Sequence, residues 1–508
     1  MTGQAIRKIV IVGGGTAGWM AAAPLAQRLG KACEIVLVES PDIGTIGVGE
    51  STLPTILTYN AALGIDVTDF VKKTQATFKL GIEFKDWGQV GNRFFHGFSD
   101  FGPTIDNRSP HLYWLRLAQS FKNMPAIENW SVSAVMARQM KFAPPAPGAP
   151  GVANGYTYGF QFDAGLYAAY LRDYAMARGA QRIEGTIVEV EQHSETGFIT
   201  AVKLKDGRRL DGDLFIDCSG FRGLLIEGTL KAGYEDWSDY LLCNSALAVP
   251  CAKVPQMTPY TRASAQSAGW VWRIPLQHRT GNGHVYSDRF TTDDEAARVL
   301  LEGLDGRALD QPRQLRFVSG RRRKTWVKNV VALGLAAGFV EPLESTSIGL
   351  IETAVFRLLQ LFPDRSFQPE LAEEFNRYMG TRYESVRDFI ILHYKVTQRD
   401  DSEFWRYCAN MPIPDSLSHQ IALFRETGHV AVYDRDGFAG PSFVAMLLGL
   451  GIVPQRYDPL VDLMDMRQLH GHFAGLRDAI ADTVQRMPEH AAFIAERVAA
   501  APVPGLAV

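Results

Sequence analysis

A short apolar run, Lys8-Ile-Val-Ile-Val12, leads into a glycine cluster, then a helical spacing of apolar residues from Thr16 to Leu29, then a second apolar run, Glu34-Ile-Val-Leu-Val38. Continuous apolar runs of this length suit strands buried on both faces, so strand, helix and strand in that order predict a βαβ unit, the start of a parallel sheet. Asp213-Leu-Phe-Ile-Asp217 and Val330-Val-Ala-Leu333 repeat the buried-strand pattern, each closed by glycine. The sheet is therefore expected to draw on distant segments. Between them, residues 80–300 hold short β-branched and aromatic runs such as His284-Val-Tyr-Ser287, which predict a second, more antiparallel sheet. From Thr353 onward the spacing turns helical, through Phe356, Leu358, Leu359 and Leu361, then Leu371 to Leu392, then 476–499. The Pro-rich stretch Ala143 to Pro150 reads as a surface loop, and no repeat stands out. The pattern predicts an α/β fold in two parts: a discontinuous core over 1–350 and a helical region over 351–508.

Composition narrows the class without naming a chemistry. The 508 residues are 46% hydrophobic and 21% charged, near the globular average, with a formal net charge of −3. That balance gives no electrostatic reason to expect nucleic acid or an anionic membrane as partner. The basic run Arg321-Arg322-Arg323-Lys324 reads as a solvated turn before a strand near Trp326. Five scattered cysteines lack a Cys-x-x-Cys pair, which fits a reducing compartment. The run Ile9 to Val12 enters glycines rather than a cleavage site, and Phe443 to Pro454 is too short to span a bilayer, so a cytoplasmic location is expected.

The first candidate chemistry is Gly13-Gly14-Gly15-Thr16-Ala17-Gly18, which satisfies Gly-x-Gly-x-x-Gly between a strand and a helix. Glycines there let the backbone approach a pyrophosphate, whose charge the helix N-terminus meets. Glu39, ending the second strand, is placed to accept hydrogen bonds from an adenosine ribose, favouring FAD or NAD over NADP. The motif does not by itself choose flavin over nicotinamide. Asp217-Cys-Ser-Gly220 and Leu333-Gly-Leu-Ala-Ala-Gly-Phe-Val-Glu-Pro342 look like the later FAD-contacting segments of the flavin monooxygenase type. No second such glycine motif follows another strand, so reduced flavin is expected to be made elsewhere.

Trp270-Val-Trp272-Arg-Ile274-Pro275 matches the Trp-x-Trp-x-Ile-Pro signature of flavin-dependent halogenases. Taken alone it is also an aromatic strand with both indoles on one side. The chain further resembles the tryptophan halogenases at Gly13–Trp19, Gly47-Val-Gly-Glu-Ser-Thr52, Asp217-Cys-Ser-Gly-Phe-Arg-Gly-Leu-Leu225, Val285-Tyr-Ser287 and Phe339-Val-Glu-Pro-Leu-Glu-Ser-Thr346. The resemblance implies an FAD-binding Rossmann-like domain with a second sheet layer and a helical C-terminal region capping the substrate site. It places FAD contacts within 9–52, 186–225 and 330–350, including Ser51, Val188, Leu335 and Ile348. It implies that a separate flavin reductase supplies FADH2, and that oxygen and bound chloride or bromide yield hypohalous acid, which passes through a tunnel to an aromatic substrate.

Lys79, in Ala76-Thr-Phe-Lys-Leu80, matches the family's essential lysine, which holds the halogen either through an ammonium hydrogen bond to hypohalous acid or as a haloamine. Glu344 matches the second catalytic residue, stabilising the cationic ring adduct or taking its proton, and doubles as an acidic residue before a helix starting near Ser347. The halide site maps to Thr346 and Ser347, where many relatives have Gly at the second position. His96 and Phe98 resemble the rings that sandwich an indole. Near the C-terminus, Pro441-Ser-Phe-Val-Ala-Met-Leu-Leu-Gly-Leu-Gly451 replaces an aromatic pair that fixes the amino acid in tryptophan halogenases, so free indole or another electron-rich arene is the expected substrate. The alternatives are an FAD-dependent aromatic hydroxylase and a flavin-carrying electron-transfer protein; a homodimer is expected from relatives.

Overall fold

The computed structural model describes residues 4–41, 49–146, 148, 151–433 and 437–499. Its first layer is a six-stranded sheet in the order 326–327, 330–332, 214–217, 8–12, 34–39 and 181–184. The pairs are parallel except at the 326–327 edge. Val10 lies opposite Val36 on one side and Phe215 on the other, each fully or almost fully buried. Burying such side chains contributes about 1.5–3 kcal/mol each. A strand buried on both faces needs no polar alternation, which is why the apolar runs predicted it. Helix Thr16–Leu29 crosses between its first two strands and buries Met20, Ala21, Ala22, Ala23 and Leu25 against this sheet and helix Ala164–Met176.

The second layer is a seven-stranded sheet in the order 313–316, 245–252, 279–286, 269–275, 261–266, 81–85 and 93–97. It is antiparallel except where 261–266 runs alongside 81–85. A small sheet of Gly49–Ser51, Gly159–Asp163 and Thr77–Lys79 bridges the layers. Helices Thr346–Gln360, Pro369–Lys395, Glu403–Asn410, Asp415–Thr427, Gly440–Gly449 and Met466–Gln485 follow.

Two expectations change. Helix Thr346–Gln360 starts where the helix after Glu344 was expected, near Ser347, and so ahead of the periodicity read from Thr353. The helix foreseen over 476–499 stops at Gln485, because Pro488 lacks the N–H that continuation needs, and restarts at His490. The basic run is a solvated turn only at exposed Arg323 and Lys324, before strand Trp326–Val327: Gly320–Arg322 is a strand, Arg321 pairs with Glu235 at 2.9 Å and Glu384 at 2.7 Å, and buried Arg322 pairs with Glu227 at 3.1 Å. Clustered arginines became structural because carboxylates distant in sequence fold onto them. Residues 143–146 are irregular, while 147, 149 and 150 of the Pro-rich stretch, and Gly47 and Val48 of the glycine-rich motif, lie outside the described residues. Among the described residues no helix is long and apolar enough to cross a membrane.

Candidate active site

Strand Lys8–Val12 delivers the chain to a cavity of about 740 Å³ between the two large sheets. At Gly13 the backbone sits at φ +110°, a conformation that favours glycine, and a Cβ there would strike the Cys218 carbonyl. At Gly15 a Cβ would meet nothing, so the backbone is bare toward the cavity. Gly15 caps helix Thr16–Leu29 without a side-chain hydrogen bond, leaving the first-turn N–H groups available to an anion. Thr16 and Ala17 line the same end, while Gly18 packs under it, where a Cβ would strike the Gly13 carbonyl. Glu39 closes the cavity at the strand end and pairs with Arg182, which also reaches Glu184 at 2.7 Å. A bare glycine turn, an uncapped helix start and an acid at the next strand end fit the pyrophosphate and ribose of FAD.

Ser51, Leu335, Ser347 and Ile348 also line this cavity. Val188 does not. Its side chain is 62% exposed, and the adjacent Ile187 takes the lining position. Side chains on a strand alternate sides, so an offset of one residue moves a contact to the opposite face. Thr346 is buried outside the lining, with its hydroxyl unpartnered. Burial pushes the Glu50 carboxyl up to about 7. Trp270 and Trp272 both border the cavity, their rings 6.1 Å apart. The Trp270 indole donates to Glu341 Oε2 at 3.0 Å, as does the Tyr394 hydroxyl at 2.9 Å.

Lys79 sits just beyond the cavity wall, fully buried on strand Thr77–Lys79. The strand is fixed from both faces. Thr77 Oγ1, on the Lys79 side by alternation, donates to the Pro275 carbonyl at 2.7 Å and accepts from Gln161 Nε2 at 3.0 Å. Phe78, on the other face, stacks on Phe142 at 4.0 Å between ring centres, and its N–H donates to His490 Nε2 at 3.2 Å. Lys79 Nζ donates to Ser345 Oγ at 2.8 Å and lies 5.3 Å from the centre of the Phe98 ring. Burial pulls this ammonium down to about 7, against the opposing pull of the Glu344 charge. Amine and ammonium are thus both accessible near neutral pH.

Ser345 lines the cavity and touches Lys79, so one side chain joins the two compartments. It stands at φ +59°, a left-handed conformation uncommon for serine, at the turn between Pro342–Glu344 and helix Thr346–Gln360. Glu344 is fully buried, with His96 Nδ1 at 3.0 Å from both carboxylate oxygens and His393 Nε2 at 2.8 Å from Oε1. Burial works to raise this carboxyl, but the charge of His96 and hydrogen bonds from both histidines outweigh it and hold Glu344 well below the usual carboxylate range. The His96 ring also meets Phe98, Phe389 and Phe438 at 6.3, 5.9 and 6.4 Å between centres. The structure therefore gathers Lys79, Glu344, His96 and Phe98 as the sequence grouped them. It adds Ser345, His393, Glu341, Tyr394 and Arg182, which sequence reasoning passed over. His393 and Tyr394 lay in a stretch legible only as helical periodicity, and nothing in their spacing singles them out.

A glycine-cradled cavity suited to a dinucleotide, joined through Ser345 to a buried cluster of one lysine and one carboxylate, marks a dinucleotide-binding protein with ionisable side chains held beside the cofactor cavity. Comparison with known proteins supplies the rest. The family profile described as tryptophan halogenase matches residues 8–466. The tryptophan 6-halogenase ThaL of Streptomyces albogriseolus is 36% identical, covering 89% of this chain and 90% of its own. Xcc4156, a flavin-dependent halogenase from Xanthomonas campestris, superposes with a TM-score of 0.95 at 45% identity, covering 99% of this chain and 100% of its own. BrvH, a flavin-dependent halogenase from Brevundimonas sp. BAL3, gives 0.93 at 45% identity, covering 96% and 99%. The chain belongs to the tryptophan halogenase family of flavin-dependent halogenases. Its relatives halogenate, and the hydroxylase alternative is not favoured.

Proposed function

We propose that the chain halogenates free indole or a comparable electron-rich arene, with Lys79 delivering the halogen and Glu344 serving the ring. The observation that carries this reading is Lys79 Nζ, fully buried and hydrogen-bonded to the cavity-lining Ser345, beside a carboxylate held ionised by two histidines. Reduced FAD, delivered by a separate reductase, supplies with oxygen the oxidising power that turns chloride or bromide into hypohalous acid. Gly13, Gly15, Thr16, Ala17, Glu39, Ser51, Leu335 and Ile348 would hold that cofactor. Halide fits at the backbone of Thr346 and Ser347. Serine is a favoured N-cap, yet the Ser345 hydroxyl accepts from Lys79 instead and makes no cap hydrogen bond, so the helix N–H groups are left to an anion.

In the chamber, Lys79 as ammonium donates a hydrogen bond to the hypohalous oxygen, drawing electrons away from the halogen and giving that oxygen a proton as it leaves as water. The arene attacks the halogen from between His96 and Phe98. Glu344 stabilises the cationic ring and takes its proton, and aromatic walls keep water out, which strengthens both electrostatic effects. Helix Gly440–Gly449, which buries Phe443, Val444, Ala445 and Met446, offers apolar contact and favours an arene without an amino-acid group. We take residues 351–508 as the cap over this side.

The test is a product screen of indoles, phenols and pyrroles with a flavin reductase, FAD, oxygen and either chloride or bromide, read by mass spectrometry. Halogenated indole absent from Lys79→Ala supports the reading. Hydroxylated product alone, or unchanged halogenation by the variant, sinks it.

A further inference from the structure

His393 has an acceptor at each ring nitrogen. Nδ1 lies 2.7 Å from the Phe389 carbonyl oxygen, one turn earlier in helix Pro369–Lys395, and a carbonyl can only accept. Nε2 lies 2.8 Å from Glu344 Oε1, within the range of a charge-assisted N–H···O bond. A neutral imidazole has one N–H and satisfies one of these contacts. The second requires either a second proton on the ring or a proton on Glu344. His96 Nδ1 points equally at both carboxylate oxygens, an arrangement suited to an acceptor without a proton of its own.

His393 is fully buried and packed against the rings of Phe84, Trp87 and Phe389. The charged groups facing the pair are His96, from strand Arg93–Gly97, and Lys79, which reaches the neighbouring Ser345 from strand Thr77–Lys79. Without a cation alongside, a carboxyl this deeply buried would be driven to its neutral form, which neither stabilises a cationic ring nor accepts its proton.

We propose that His393 is held as a doubly protonated imidazolium and is a positioning residue that, together with His96, keeps Glu344 ionised before any substrate arrives. The pair is then neutral overall, so it can be buried, yet it presents a carboxylate to the chamber. The functional half of this inference rests on the role of Glu344 proposed above. The protonation half does not.

Two experiments separate them. In protein carrying 15N-labelled histidine, one imidazole should keep both nitrogens protonated at pH ~8.5, about two units above the ordinary histidine value, and should vanish in His393→Gln. A wild-type spectrum in which every histidine is singly protonated there overturns the proposal, as does a set of doubly protonated rings left unchanged by His393→Gln. His393→Gln retains a donor toward Glu344 but no charge, so the acid limb of its kcat profile should rise by about 1–3 pH units, with a larger rise in His393→Leu and normal FAD binding in both. An unmoved acid limb in folded variants refutes the positioning role. If no arene is halogenated at all, the spectrum still decides the protonation state.

Discussion

The dinucleotide cavity and the Lys79 chamber meet at Ser345 but are built on opposite principles. The cavity is a surface of bare backbone, an uncapped helix start and an ion pair at its rim, drawn from the βαβ unit and from segments as distant as Thr186, Cys218, Trp270 and Leu335. A large ligand there would be held by many contacts, so loss of one side chain should cost little, whereas a Cβ at Gly13 or Gly18 would strike backbone. The Lys79 region is a buried cluster: Lys79, His96, Glu344 and His393 are each at most 2% exposed and come from four separate elements. Its electrostatics act at low dielectric, where the removal of one charge leaves another uncompensated. The difference teaches that a backbone-lined cavity and a buried charge cluster answer to substitution on different physical grounds.

Substitutions should expose that asymmetry. Lys79→Ala is expected to lower halogenation by at least about 10³-fold while fluorescence titration finds FAD binding unchanged, since the nucleophile or donor itself is gone. Retained turnover would dissolve the division between the two regions. Glu344→Gln should lower kcat by about 10²–10³-fold at constant FAD affinity, because the amide neither carries charge nor accepts the ring proton. The pH profile sharpens the picture. With the Lys79 ammonium depressed to about 7, a donor role makes kcat fall as pH rises through that value, approaching tenfold per unit above it; a rise instead identifies the free amine as the active form. In the cavity, Glu39→Ala should weaken FAD binding by about tenfold and leave kcat at saturating FAD within a factor of two, as expected for loss of one charge-assisted hydrogen bond.

The smallest effect concerns the scaffold that holds Lys79. Burial lowers His490, which accepts from the Phe78 N–H, to about 4. The unfolded chain therefore binds a proton between about 6.5 and 4 that the folded one refuses, and stability present above pH ~6.5 is lost as pH falls toward 4. His490→Asn should flatten the acid decline of Tm by the equivalent of roughly 1–3 kcal/mol, seen by calorimetry at a series of pH values.

The βαβ unit was legible because buried strands and a glycine turn leave local marks: Ile9 to Val12, Gly13 to Gly18 and Glu39 declare themselves without reference to the rest of the chain. Lys79 and Glu344 were legible through resemblance, since one lysine among 52 basic residues carries no local signal. Val188 shows the resolution limit of such reading, because a one-residue offset on a strand exchanges lining for solvent. Arg321 and Arg322 show its blindness to ion pairs whose partners lie far along the chain.

What the sequence determined by itself was the local grammar: which segments are strands or helices, where the glycine turn of a dinucleotide motif falls, and which motifs ally the chain with the halogenases. The tertiary structure alone decided that His393 stands 2.8 Å from Glu344 and that Ser345, turned to φ +59°, grips Lys79 rather than capping its helix. Backbone periodicity is written in neighbours, whereas the charge state of a buried carboxylate depends on which side chains the fold brings to it and how completely water is removed.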